Sequence, residues 1–307
     1  MHRLGKQKYY IMLLVAVFTW GIDPIVTSYL YRYYSAAALA TLATFISAVM
    51  FLFLSRKKWH LWNRKYLTVA LPICLANSLA CILQRIGLQY TTPARYAFLE
   101  HLSCIIVPLL LFVCFRRKPN LPQATASILC LIGCLLLTGV GSEAFSFAIG
   151  DVLCSAAGLL LGLGIVLTAI STQGMDITLF TTVHMCTYCL SSASLMLLLN
   201  FIKVNGTPME PIAFSFSPLP LLIAMLFGVF TIGVCWLLRN EATRHLHPSL
   251  VAVIAPFSAV ITAAVSVIFG LDTLSPSFVI ACVLIPLSAI LSGLGDRPPK
   301  EIEAKPD

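Results

Sequence analysis

The sequence predicts an all-α integral membrane protein, with ten transmembrane helices arranged as two inverted five-helix repeats. Three observations predict it. The 307 residues are 59% hydrophobic and only 10% charged, with a mean hydropathy of +0.93; a soluble domain carries roughly 25% charged residues. Apolar runs that meet or approach the length needed to cross a bilayer, about 20 helical residues, recur along the whole chain. The two halves can also be laid over one another. The first observation alone excludes a soluble globular protein, because so few charges cannot keep such a surface in water.

The spans follow in order. Span one (9–31) begins just after Arg3, Lys6 and Lys8, and span two (35–54) stops at "RKK", 56–58. Span three (66–88) starts behind Arg64 and Lys65, and span four (93–115) ends at "RRK", 116–118. Spans five (122–141), six (149–170) and seven (178–202) are separated by short polar breaks. Span eight (219–238) opens on a Pro-containing stretch and closes where charges return at Arg239; spans nine (247–269) and ten (276–294) complete the set. The first run has full spanning length and no small-residue cleavage site, so it reads as a span and not as a cleaved signal. The tail, 295–307, is charged and Pro-containing without an apolar face, and is expected to be disordered.

The net charge of +8 does not point to nucleic acid, because the basic residues lie in short clusters between apolar runs, the pattern that orients a membrane protein. With the N-terminus in the cytoplasm, 16 of the 20 basic residues fall on that side; Arg32, Arg85, Arg95 and Lys203 do not. Both termini are therefore placed in the cytoplasm. The eleven cysteines lie within apolar stretches, where they act as small packing residues. "HMCTYC", His184 to Cys189, lacks the second cluster that a metal site requires, so no metal or cofactor is expected.

Spans three to five contain "LQRIGLQYTTPARYAFLEHLSCIIVPLLLF" and spans eight to ten "WLLRNEATRHLHPSLVAVIAPFSAVITAAV". In both, a polar stretch gives way to small residues and then a long apolar run. An odd number of spans per half makes the halves enter from opposite faces, the arrangement of carriers that bind solute between their repeats. "TWG" (Thr19 to Gly21), "LQYTTPARYAFL" (Leu88 to Leu99) and "LIGCLLLTG" (Leu131 to Gly139) resemble the EamA domain of the drug/metabolite transporter superfamily. The resemblance implies two copies, over 9–142 and 149–294, and a ten-helix carrier that moves a small metabolite by alternating access. The chain shows no nucleotide-binding G-x-x-x-x-G-K-[ST] loop.

Ionisable and polar residues within the spans are the candidate site. Asp23 lies roughly 13 Å, and Glu100 roughly 11 Å, inside the outer ends of spans one and four. A carboxylate at such depth costs about 2.5–3.5 kcal/mol and normally faces a cavity or a partner. Arg85 and Arg95 can reach both, so either a static ion-paired staple or a solute-binding group fits. Residues three, four or seven apart share a helix face. That groups Trp20, Asp23 and Thr27; Asn77 and Gln84; Tyr96 and Glu100; Thr181, His184 and Tyr188; and Trp236, Arg239 and Asn240. The candidate substrate-binding residues are Trp20, Asp23, Thr27, Asn77, Gln84, Arg85, Tyr96, Glu100, His184 and Tyr188. His184 reads equally as a buried hydrogen-bonding residue or a proton-sensitive group. Trp236 and Arg239, near the expected end of span eight, are assigned to the membrane interface.

The function expected is secondary active transport of an amino acid, amine or related organic solute. The expected partners are the small-molecule substrate, the lipid bilayer and a coupling proton, with no nucleic acid, and the carrier is a monomer or homodimer in the cell membrane. A facilitative channel or uniporter is the alternative. An intramembrane enzyme fits poorly, since "LEHL" (Leu99 to Leu102) has no second histidine in register.

Overall fold

The computed structural model describes residues 2–88, 90, 99–116, 120–138, 148–204, 207–208, 210–268 and 276–294. The helices are α1 His2–Leu30, α2 Ala36–Ser55, α3 Leu71–Leu88, α4 Ser103–Phe115, α5 Leu121–Thr138 and α6 Ile149–Ser171. They continue with α7 Ile177–Phe201, α8 Pro218–Phe227, α9 Cys235–His245, α10 Pro248–Ile254, α11 Phe257–Ile268 and α12 Pro276–Leu294. A 3₁₀ turn, Arg56–Leu61, follows α2. Wide π-turns occupy Tyr66–Ala70, ahead of α3, and Gly228–Val234, which joins α8 to α9. Two-residue strands at Lys203–Val204 and Thr207–Pro208 pair antiparallel.

Among the described residues, seven helices are long and apolar enough to cross a membrane: Gln7–Leu30, Ala36–Leu61, Tyr66–Gln84, Ile149–Ser171, Ile177–Phe201, Pro218–His245 and Pro248–Val265. Ser103–Cys114, Leu121–Leu136 and Val279–Leu294 are shorter apolar helices. The outer surface carries Phe18, Phe45, Phe53, Leu190, Phe201 and Ile290 with more than half of their area exposed. Water penalises such a surface and acyl chains do not. The molecule is a multi-pass membrane protein.

The span expected over 93–115 begins outside the described residues; from Leu99 onward it contains a turn at His101–Leu102 before α4 begins at Ser103. One expected limit differs from the structure. The span expected to end at 238 continues as helix to His245. The hydropathy break at Arg239 is thus not a helix break: the "RNEATRH" stretch has good helix formers and no Pro or Gly. The tail, 295–307, lies outside the described residues.

Polar residues fix several helix starts. The Asp176 carboxylate accepts the backbone N–H groups of Thr178 (2.9 Å) and Leu179 (3.1 Å), capping α7. Asp151 accepts the Ala148 N–H at 3.0 Å where α6 begins. Pro248 opens α10, and the His247 ring accepts the Ser249 N–H at 3.2 Å.

The helices pack in a regular scheme. α2 runs along α7, α5 along α12, and α4 against α10; α1 lies against α9 and α11, and α6 against α3 and α4. α3 also meets α7, and α2 meets the Gly228–Val234 turn. Gly21 permits the α1–α11 contact, since a Cβ there would stand 2.5 Å from the Ile261 Cβ. The Thr262 hydroxyl donates to the Gly21 carbonyl across the same contact, at 2.7 Å. Carbonyls of the wide turn are taken up by neighbouring helices: the Trp20 indole N–H donates to Thr231 O (3.1 Å) and the Ser47 hydroxyl to Gly228 O (2.5 Å).

Candidate functional site

Side chains of α1, α7 and α9 meet around one buried tryptophan, and α3 runs beside them with buried polar residues of its own. α3 presents Asn77, Cys81 and Gln84 at helical spacings of four and three, all buried. α7 presents Thr181, His184 and Tyr188, also buried. α9 contributes Trp236, Arg239 and Asn240, and α1 contributes Trp20. The Trp236 ring is the hub. It meets the Trp20 ring edge-on with centroids 5.8 Å apart, and the His184 ring at 90° with centroids 4.3 Å apart. The Arg239 guanidinium stacks over it at 4.6 Å. Tyr188 extends the aromatic row beyond His184, with centroids 6.4 Å apart. Arg239 lies within electrostatic reach of His184 and of Cys81, which links α9 to the α3 face.

These groups are buried without being satisfied. Both amide atoms of Asn77, both ring nitrogens of His184, Gln84 Nε2, Asn240 Oδ1 and Arg239 Nη1 lack a hydrogen-bond partner among the described residues. Asn240 Nδ2 does donate to the Thr181 hydroxyl, at 3.3 Å. Asn77 points at the closest approach of α6: a Cβ on Gly164 would collide with its amide. No carboxylate pairs with Arg239 among the described residues, although its side chain is only 5% exposed.

Of the expected set, the structure places Trp20, His184 and Tyr188 around Trp236, and buries Asn77 and Gln84 on α3, the helix whose Cys81 reaches the same group. It corrects the assignment of Trp236 and Arg239 to the membrane interface. Both are enclosed by protein, because α9 continues past the apolar run and turns them inward. Asn240, grouped with them in the sequence, joins the same place.

Asp23 and Thr27 form a neighbouring pair on α1. The Thr27 hydroxyl donates to Asp23 Oδ1 at 2.6 Å, and both residues are half-buried. Asp23 faces α9, within electrostatic reach of Cys235. Glu100, half-buried as well, answers to a different helix: its backbone abuts Gly158 and its charge reaches Cys154, both on α6. Tyr96 and Arg95 lie outside the described residues, as does the side chain of Arg85.

Comparison with known proteins agrees with this architecture. Residues 7–139 match the model of the EamA-like transporter family. No curated protein matches the chain by sequence. A crystal structure described only as that of a protein superposes with a TM-score of 0.73 over 97% of this chain and 99% of its own, at 16% identity, a likeness of fold alone. Over residues 7–139 the chain is thus similar to the EamA-like transporter family, which belongs to the drug/metabolite transporter superfamily.

Proposed function

We propose that the protein is a secondary active carrier that moves a small organic solute across the cell membrane by alternating access, and that it is not an enzyme. The observation that carries this reading is the set of buried, unpartnered hydrogen-bonding groups between α1, α3, α7 and α9. A body that has only to stay folded gains nothing from such groups, each of which costs about 1–3 kcal/mol. A solute that supplies the missing partners turns that cost into recognition.

The seven long and three shorter apolar helices support ten spans, with α8 and α9 forming one and α10 and α11 another. The helix contacts support two inverted repeats, 9–142 and 149–294. Advancing every span by five sends α1 against α9 onto α6 against α3, and α1 against α11 onto α6 against α4. It returns α2–α7, α4–α10 and α5–α12 to themselves. Gly21 against Ile261 has its counterpart in Gly162, where a Cβ would stand 2.9 Å from Ile106 Cγ2. In this reading both termini face the cytoplasm, no cofactor takes part, and the carrier works as a monomer or homodimer.

Asp23, hydrogen-bonded to Thr27, is the coupling group in this mechanism, exchanging a proton as the two halves rearrange. The test is exchange of labelled for unlabelled solute in proteoliposomes, with ligands first found by thermal shift against a metabolite library at two pH values. Saturable exchange is expected of a carrier; flux without counterflow would make it a channel. In Asp23→Asn, folding should persist while pH-driven accumulation is lost. Unchanged accumulation in that variant removes Asp23 from the coupling.

A further inference from the structure

The charge balance around Trp236 indicates what kind of solute the site takes. Arg239 is a fixed cation, since a guanidinium does not deprotonate in proteins. Cations within a membrane bundle normally pair with an acid or with carbonyl groups, yet no carboxylate meets Arg239 among the described residues and its Nη1 has no acceptor. The Trp236 face offsets part of the charge but cannot accept the in-plane N–H bonds of the guanidinium. The His184 ring, edge-on to the same Trp236, has an unused N–H whichever nitrogen carries it, and Asn77 Nδ2 and Gln84 Nε2 are unused donors on the α3 helix that carries Cys81. Unused acceptors accompany these donors (Asn77 Oδ1, Asn240 Oδ1 and the second His184 nitrogen), so what is left unbalanced is the positive charge of Arg239.

A buried guanidinium fork with no carboxylate partner among the described residues matches a planar oxyanion. Trp20, Trp236 and Tyr188 supply flat apolar walls beside it. The opposite preference, for a cation at Asp23, is weaker, because that carboxylate is only half-buried and already engages Thr27.

We infer that the transported solute is an organic monocarboxylate with an apolar, ring-sized body, and that Arg239 is its counter-ion. This rests on the carrier reading above and narrows it to a chemical class. A single guanidinium balances one negative charge, which favours a carboxylate over a phosphate monoester.

The chain has four tryptophans, and Trp59 and Trp62 stack on each other away from the site. Replacing both by Phe leaves Trp20 and Trp236 as fluorescent reporters. In detergent, this protein is titrated with phenylacetate, its neutral isostere phenylacetamide, phenethylamine and phenyl phosphate, with thermal shift read in parallel. Phenylacetate should give a saturable signal and stabilise the fold, while the other three should be at least tenfold weaker. Arg239→Gln should weaken phenylacetate by about 10- to 100-fold, the worth of a charge-assisted hydrogen-bonded pair. Arg239→Lys, which keeps the charge and loses the fork, should retain the same order of preference at lower affinity; it also serves if the Gln variant does not fold.

Equal binding of phenylacetamide or phenethylamine, or indifference to both substitutions, overturns the anion assignment and leaves the carrier reading standing. Preference for phenyl phosphate replaces the carboxylate class with a phosphate. Silence from the whole panel also overturns the assignment. If labelled-solute exchange is absent as well, the carrier reading falls with it.

Discussion

Asn77 is the residue whose chemistry is hardest to explain by folding alone. It is fully buried, its amide has no partner at either end among the described residues, and a bare glycine faces it from α6. An apolar residue of similar size would remove the desolvation cost of two groups, so Asn77→Leu should raise conformational stability, by about 1–2 kcal/mol. The same change should cut solute exchange at least tenfold. Chemical denaturation in detergent and proteoliposome counterflow measure the two effects separately. Gly164→Ala should also impair exchange, because its methyl group would displace the Asn77 amide, but it should lower stability. Opposite signs on folding with the same sign on transport would distinguish a binding residue from a packing one. Asn77 and Gln84, like Thr181, His184 and Tyr188, were legible in the sequence because α3 and α7 are regular over those stretches, so simple spacing puts them on one face. Arg239 was not: its charge marked the end of an apolar run, and only the helix continuing to His245 shows that it points inward.

At the scale of elements, one polar junction joins the end of α2 to the start of α7. Lys58 Nζ donates to Asp176 Oδ2 (2.9 Å) and to the Thr178 hydroxyl (2.8 Å), and the Asp176 backbone N–H donates to the Tyr66 hydroxyl (2.8 Å). Partial burial pushes the Asp176 carboxyl up. The Lys58 ammonium and the Leu179 and Thr178 amides together outweigh it and hold the group below the usual carboxylate range. A carboxyl depressed in the folded state stabilises the fold above its unfolded pKa, and that contribution fades as pH falls through the folded value. Asp176→Ala should therefore lower the melting temperature near neutral pH, by the equivalent of about 1 kcal/mol for the lost cap. The gap from wild type should close as pH falls through the acid range below about 4. A pH-independent gap would show that the carboxylate charge plays no part. The wide turns at Tyr66–Ala70 and Gly228–Val234 were beyond sequence reading, because a π-turn changes helical phase without any residue that announces it. Residues before and after Gly228–Val234 therefore do not share the face that a 3.6-residue period assigns them.

For the whole molecule, the two-fold pattern of helix contacts and the clustering of basic residues both support the proposed ten-span topology. Cys114 is the exposed member of the eleven cysteines. With it replaced by Ser, new cysteines introduced one at a time at the exposed positions Lys57 and Ser217 should label above the background of the other ten, on opposite sides of the membrane. In intact cells a membrane-impermeant maleimide should reach Ser217→Cys directly and Lys57→Cys only after permeabilisation. Labelling of both without permeabilisation would refute the ten-span topology. The helical, multi-pass character was the most legible feature. Lipid-facing area and spanning length are written residue by residue in hydropathy, whereas the site depends on how four helices meet, which no local pattern records. The clearest case is the Trp20–Trp236 contact, which joins residues 216 apart through a ring-to-ring approach of 5.8 Å.

The Gly228–Val234 turn adds a mechanical property to this picture. A helix widened in this way holds slack of one residue. Should it pass toward His245, the stretch bearing Trp236 and Arg239 would swivel by about 100°, one residue's rotation. The indole and serine tethers that grip the turn from α1 and α2 would then have to let go. Excising a single residue there would remove the slack and lock the swivel at one end of its travel.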